Sequence, residues 1–508
     1  MPDPSHSAKA KFGKFYGEIK MPNSIAYAML LVWPVASLFF FKRLPLRRAI
    51  LLCLIGGYLF LPPKTAFDLP LVPAFDKFTI TSIMTMVGCL FIARVPLFET
   101  SRSRFITFCM ALFILSPIPT VLTNMDEVVF VSTRGADPII YKTITVPALK
   151  LRDLGSVMSS QIIALIPFLI ARRHLSTPEA HRDLLIAFCI GGLVYSIPSL
   201  IEINIGPELN ILLYGFIQHD PEQMVRLGGF RPMVFLPHGL WLALFMSSAL
   251  IATIAVARTP GQGNRTRYVI AAVYLFVILV LCKSMAALIY GLAFAPLVAL
   301  APFRTQIKVA LVIGLIGCSY PTLRNAGLFP VTDILAQAEA IDAERAQSLG
   351  YRFENEEKLL ERAAIKPWFG WGGWGRNLIR DAETRTIETI PDGHWILSFG
   401  EFGWVGYLAE MGILTGVLVL LLLGLRRTSA AEMSPYVSAI ALILAATMVD
   451  MLLNDTLVPI TWMCAGAVLG YAERLLYPGS FDPRPALFHG RQVMEGPAQG
   501  ARLKPLMD

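Results

Sequence analysis

The sequence predicts an all-α, polytopic membrane protein with about 13 (12–14) transmembrane helices. One large helical outer loop is expected between the tenth and eleventh spans. Three observations predict this. Of 508 residues, 55% are hydrophobic and only 16% charged, where a soluble domain carries roughly a quarter charged. Apolar runs recur from Ser24 to Ala472, many near the ~18–20 residues that cross a hydrocarbon core. The polar residues collect in one segment, 322–394, with nine bases and twelve acids. That balance excludes a disordered chain, a nucleic-acid coat and an ordinary soluble enzyme.

The elements follow in chain order. A tail (1–23) has no cleavable signal pattern, so the first apolar run is expected to remain as a helix. A membrane bundle (24–321) holds runs at 24–41, 49–61, 78–93, 105–122, 155–171, 184–201, 239–257, 268–282, 285–302 and 309–320. The outer loop and its amphipathic helices occupy 322–404. Runs at 405–424, 436–453 and 457–472 close the bundle, and a Pro-, Gly- and Arg-rich cytoplasmic tail (477–508) ends the chain.

Lys and Arg in short loops set orientation. The basic loops are 42–48, 94–104, 172–182, 258–267, 304–308 and Arg426–Arg427. One alternating assignment puts all of them in the cytoplasm. The longer segments 124–153, 204–237 and 322–394 then lie outside. The same assignment puts the N-terminus outside despite Lys9, Lys11, Lys14 and Lys20, which makes that tail an interfacial amphipathic piece or the first span wrong. The formal net charge of +8 divides accordingly. Loop 322–394 carries −3, so the rest carries +11. The basic balance is mainly a topology signal. Seven scattered cysteines with no CxxC read as packing residues.

Within the outer loop, Thr332 can cap a helix that runs to Gly350. Gly350 interrupts it, and a second helix follows as far as Pro367. PWFGWGGWGRN (367–377) cannot be a regular helix. A segment led by His394 then suits a helix on the membrane surface. Five of the eight tryptophans fall at 368–404. Trp395 and Trp404 suit an interfacial aromatic belt. The Gly-spaced Trp368, Trp371 and Trp374 suit sugar stacking, with the glycines allowing close approach of a bulky ligand.

These segments resemble the O-antigen ligase/polymerase superfamily, and within it the exopolysaccharide-polymerase branch. The resemblance rests on SLGYR (Ser348 to Arg352), the helix and P-x-x-G-x-G stretch from Leu359 to Asn377, and HWILSFGEFGWVG (His394 to Gly406). RLGGFRPMVFLPHG (Arg226 to Gly239) and the Lys283–Ser284 pair match weaker features. It covers about the C-terminal 280 residues; the first 200 match in hydropathy only. It implies a metal-independent, inverting glycosyltransferase in a bacterial inner membrane, with the large loop periplasmic. The partners implied are a polyprenyl-diphosphate-linked glycan donor, a glycan or lipid acceptor, the lipid bilayer and other polysaccharide assembly proteins. Neither cofactor nor nucleic acid is implied.

The residues can perform that chemistry. A departing diphosphate gains negative charge, and arginine binds phosphate oxygens bidentately while staying protonated. Arg231 and Arg352 are the expected catalytic cations. Arg226, Arg376 and Lys283 are expected to bind the diphosphate, Trp371 and Trp374 the sugars. An ion pair of Arg352 with Glu356 or Glu357 competes with that role, and Arg362 reads as a solvated helix charge. His394 is the expected catalytic base. Glu401, about two turns on, would share its face and is placed with the substrate-binding residues; Asp392 and His238 are further bases. Glu410 and Asp450 are rare intramembrane acids and so candidates for function. The alternatives are a polysaccharide-lipid transporter or flippase, for which two similar halves would be expected, and a non-catalytic subunit of an export complex.

Overall fold

A computed structural model describes residues 21–478, apart from 70–71, 98–100, 135–139, 227, 260–263, 342 and 429–432. The N-terminal tail with its four lysines and nearly all of the C-terminal tail lie outside the described residues.

The apolar runs fold as helices. Seven are long and apolar enough to cross a membrane: α1 (Ser24–Arg43), α4 (Arg104–Leu122), α5 (Leu151–His174), α6 (Pro178–Ile205), α7 (Gly239–Arg258), α10 (Phe303–Asn325) and α13 (His394–Leu425). Shorter apolar helices are α3 (Lys77–Ile92), α9 (Met285–Leu300) and α14 (Val437–Leu453). Helix α2 (Leu46–Leu51) continues through a π-helical stretch, Leu52–Gly56, into Gly57–Phe60. Helices α8 (Arg265–Leu281) and α15 (Pro459–Leu476) complete the bundle.

Local sequence sets the helix starts. The side chains of Asn23, Asp76, Ser103 and Thr177 accept the first free backbone N–H groups of α1, α3, α4 and α6. Helices α14 and α15 are buried along almost their whole length and form the centre. Gly466 and Gly470 press α15 onto the α5 backbone at Phe168 and Arg172, leaving no room for a Cβ. Such small-xxx-small faces let membrane helices approach closely.

The described residues are mostly helical, as expected, with a few short strands besides. Antiparallel hairpins pair Ala66–Phe67 with Phe75–Asp76, Val128–Arg134 with Ile140–Val146, and Val225–Arg226 with Gly229–Phe230. The outer loop differs from expectation. Helices α11 (Val331–Ile341) and α12 (Ala343–Ala364) lie in its first part, and Gly350 lies inside α12 instead of ending a helix.

The basic loops assigned to one side do gather at one end, but many of their charges are occupied. Arg172 and Glu473 form a buried pair at 2.7 Å, and the Ser101 hydroxyl and Arg102 N–H also donate to Glu473. Arg258 donates to the carbonyls of Val298 and Ala301, and Arg304 to that of Thr428. A helix end that leaves carbonyls without partners explains the Arg258 contacts. Elsewhere, Lys366 and Arg376 of segment 322–394 donate to Asn124, Asp126 and Pro147 of segment 124–153.

Candidate functional site

The site is built on a broken helix. His394 opens α13, and Glu410 lies 16 residues later. In a straight helix that separation would be about 24 Å. Gly403, at φ 63° and ψ −163°, breaks the helix, and the second half folds back. His394 Nε2 meets Glu410 Oε1 at 2.7 Å. Its Nδ1 meets Asp455 Oδ1 at 2.8 Å, and the Ser398 hydroxyl donates to Glu410 Oε2 at 3.1 Å.

The Gly/Trp loop splints that break. Trp404 and Val405 donate their N–H groups to the carbonyls of Pro367 and Trp368, while Trp371 and Gly372 donate to the carbonyls of Gly400 and Glu401. Gly370 and Gly403 have positive φ, and a Cβ on either would strike the opposite backbone. The close approach expected for a bulky ligand is thus taken by α13 itself. Glu401 belongs to this joint: its carboxylate lies over Gly373 and it feels the charges of His394, Asp455 and Glu410.

Arg352 reaches the same place from α12. Its Nε lies 3.3 Å from Asp392 Oδ2. Its Nη1 donates to the Leu453 carbonyl at 3.1 Å and to Asn454 Oδ1 at 3.4 Å. The expected ion pairs with Glu356 and Glu357 give way to these, because Glu356 is held by Tyr320, Trp395 and Arg324, and Glu357 by Arg324. Burial raises the Asp392 carboxyl above its usual range, against the pull of Arg352 and His219. A small cleft lies here, lined by Arg352, Glu356, Asp392 and Gly393 among others.

The second group of cations comes from the segment before α7 and the turn between α8 and α9. Lys283, in that turn at φ 51°, donates to the Arg226 carbonyl at 3.0 Å. Arg231 donates to the Lys283 carbonyl at 3.1 Å. Gly229 and Gly239 leave space for the Lys283 and Arg231 side chains. Burial lowers the Lys283 ammonium.

Residues 233–236 are fixed by buried side chains. Glu202 accepts the N–H groups of Met233 and Val234 at 2.8 and 2.7 Å. Tyr195 accepts that of Phe235. Gln218 donates to the carbonyls of Val234 and Leu236, and Lys77 to that of Phe235. Together they hold Val234 at φ 54°, a rare conformation for a β-branched residue.

His238 links the two groups. Its Nδ1 accepts the Leu240 N–H at 3.0 Å, so a neutral ring carries its hydrogen on Nε2. Its ring centroid lies 4.4 Å from that of His219. Burial holds it well below the usual imidazole range, and His219, Arg231, Arg352 and Arg226 reinforce that. The predicted residues therefore form two sets, Arg352 with Asp392 and His394 around Asn454, and Arg231 with Lys283 and Arg226.

Four residues are placed otherwise than expected. Arg376 is buried and clamps the loop: it donates to the carbonyls of Trp371, Pro147 and Asp126. Trp371 is packed away, its N–H on the Arg362 carbonyl and its ring under the Arg362 guanidinium, 4.2 Å from the centroid. Arg362 is therefore not a solvated helix charge. Trp395 is fully buried instead of interfacial, because Glu356 accepts its N–H at 3.0 Å. Trp374, by contrast, is 57% exposed and held at φ 56°. Asp450 binds Asn454 and Thr456 and so shapes the turn that carries Asp455.

Sequence reasoning missed Asp455, which no motif marks, and Glu202, whose contacts with Met233 and Val234 lie 31 and 32 residues away. Among the described residues no group of three or more His, Cys, Asp or Glu is arranged to hold a metal ion. No family model matches the chain, and no curated protein matches it.

Proposed function

We propose that the chain is a membrane glycosyltransferase of the O-antigen ligase/polymerase type. It transfers a glycan from a polyprenyl diphosphate to an acceptor hydroxyl at the outer face of a bacterial inner membrane. The observation that carries this is a pair of fixed cation sets, Arg352 beside Asp392 and Arg231 with Lys283 and Arg226, the first next to a histidine bracketed by two carboxylates. Cations fixed in advance stabilise charge where it develops on the leaving diphosphate. Because each is held by backbone carbonyls or neighbours, little reorganisation accompanies the reaction. The acceptor is activated at the His394 end. Exposed Trp374 offers a face for a sugar ring, and its backbone conformation is costly for a non-glycine residue, as is common at functional sites.

The test is transfer by purified protein in a nanodisc, from a polyprenyl-diphosphate oligosaccharide, without ATP. Wild type should form glycosidic product. Arg352→Ala and Arg231→Ala should each lose roughly 100-fold or more in rate while remaining folded. Full activity in both variants would sink the arginine mechanism. A flippase would move the lipid without forming a glycosidic bond.

A further inference from the structure

The pair of carboxylates around His394 fixes where an acceptor proton can go. Both ring nitrogens face carboxylate oxygens, at 2.7 and 2.8 Å. A hydrogen must lie in each of those contacts, so the three groups together hold two protons. They are either two carboxylates around an imidazolium, or one carboxylate and one carboxylic acid around a neutral ring. In neither arrangement does the ring have a nitrogen left to accept another proton.

The proton acceptor must then be one of the carboxylates. Glu410 is 5% exposed and its second oxygen is occupied by Ser398. Asp455 is 55% exposed. Its position is fixed from both sides. Arg352 holds the preceding Leu453 carbonyl and the Asn454 side chain. The His394 N–H holds the Asn454 carbonyl, and Thr456 is bound to Asp450. Asp455 thus stands between the arginine that would hold the diphosphate and the ring that orients its own carboxylate.

We propose that Asp455 is the catalytic base for the acceptor hydroxyl, and that His394 is a positioning residue that aims it. This rests on the glycosyl-transfer function proposed above. The acceptor oxygen bonds to the anomeric carbon as the carbon–oxygen bond to the diphosphate breaks. The bonding pair leaves with the diphosphate, and the hydroxyl proton passes to the Asp455 carboxylate. The hydrogens that His394 shares with Glu410 and Asp455 stay in those contacts throughout the step.

Asp455→Asn separates the roles, since its amide oxygen can still accept from His394 Nδ1 but takes up no proton. In the nanodisc assay, kcat should fall roughly 100-fold or more, with the donor KM within about twofold of wild type. Asp455→Ala should regain activity with added formate, which supplies a carboxylate; a merely structural defect would not respond. Asp455→Asn with near wild-type kcat, or Asp455→Ala that is inactive and insensitive to formate, would overturn the assignment. A wild-type protein that forms no product would instead defeat the glycosyltransferase function itself.

Discussion

Glu356 shows how far a residue's role can lie from its sequence neighbours. Its carboxylate accepts from the Trp395 N–H at 3.0 Å and the Tyr320 hydroxyl at 3.1 Å, with Arg324 at 3.5 Å. Burial raises its pKa, while those three partners pull it down. Removing one member of a buried charged pair typically costs about 3–5 kcal/mol, because the other is left uncompensated. Glu356→Ala should therefore lower thermal stability in detergent markedly. Glu356→Gln should lose less, since its amide oxygen still accepts from Trp395; equal losses would mean the hydrogen bonds matter little. Arg352 and Arg231 were legible as chemistry because they stand in the segments that carry the family resemblance, and arginine suits a diphosphate. Their partners were not: Asp392, Leu453 and Asn454 lie up to 102 residues from Arg352. Asp455 was illegible for a different reason, being an isolated acid in a short turn.

At the scale of elements, helix positions followed from hydropathy, while the break at Gly403 made the site. Its conformation is essentially restricted to glycine. Gly403→Ala would also drive a methyl into the Trp368 backbone. That variant should lose the His394–Glu410 contact and roughly 100-fold or more in transfer. Protease access to the Gly/Trp loop should rise. Unchanged access and activity would show that the splint is dispensable. The PxxGxG wording signalled a tight loop. It could not show that the loop's donors and acceptors would serve another helix, because satisfying a broken helix takes backbone groups, which sequence does not label. The hairpins and π-helical stretches escaped for the same reason.

For the whole molecule, the division of charge gives a testable orientation. The basic loops meet at one end and the site lies at the other. Under the positive-inside rule the site faces outward. The native cysteines are buried except for Cys318, which is partly so, and give a quiet background for labelling. Cysteine at Ile387, which is exposed, should react with a membrane-impermeant maleimide in intact cells. Cysteine at Lys308 should react only after lysis. The reverse pattern would invert the topology.

The Arg352–Asp392 contact has a consequence for selectivity. The guanidinium already has an anion of its own, together with the carbonyl at the end of α14. Whatever comes to that seat displaces a resident carboxylate, so arrival is an exchange of anions. Phospholipid head groups crowd every bilayer surface, and a bare cation there would be fouled by them. On the proposed reaction, a diphosphate that gathers a second cation such as Arg231 would compete for that seat better than a single phosphate.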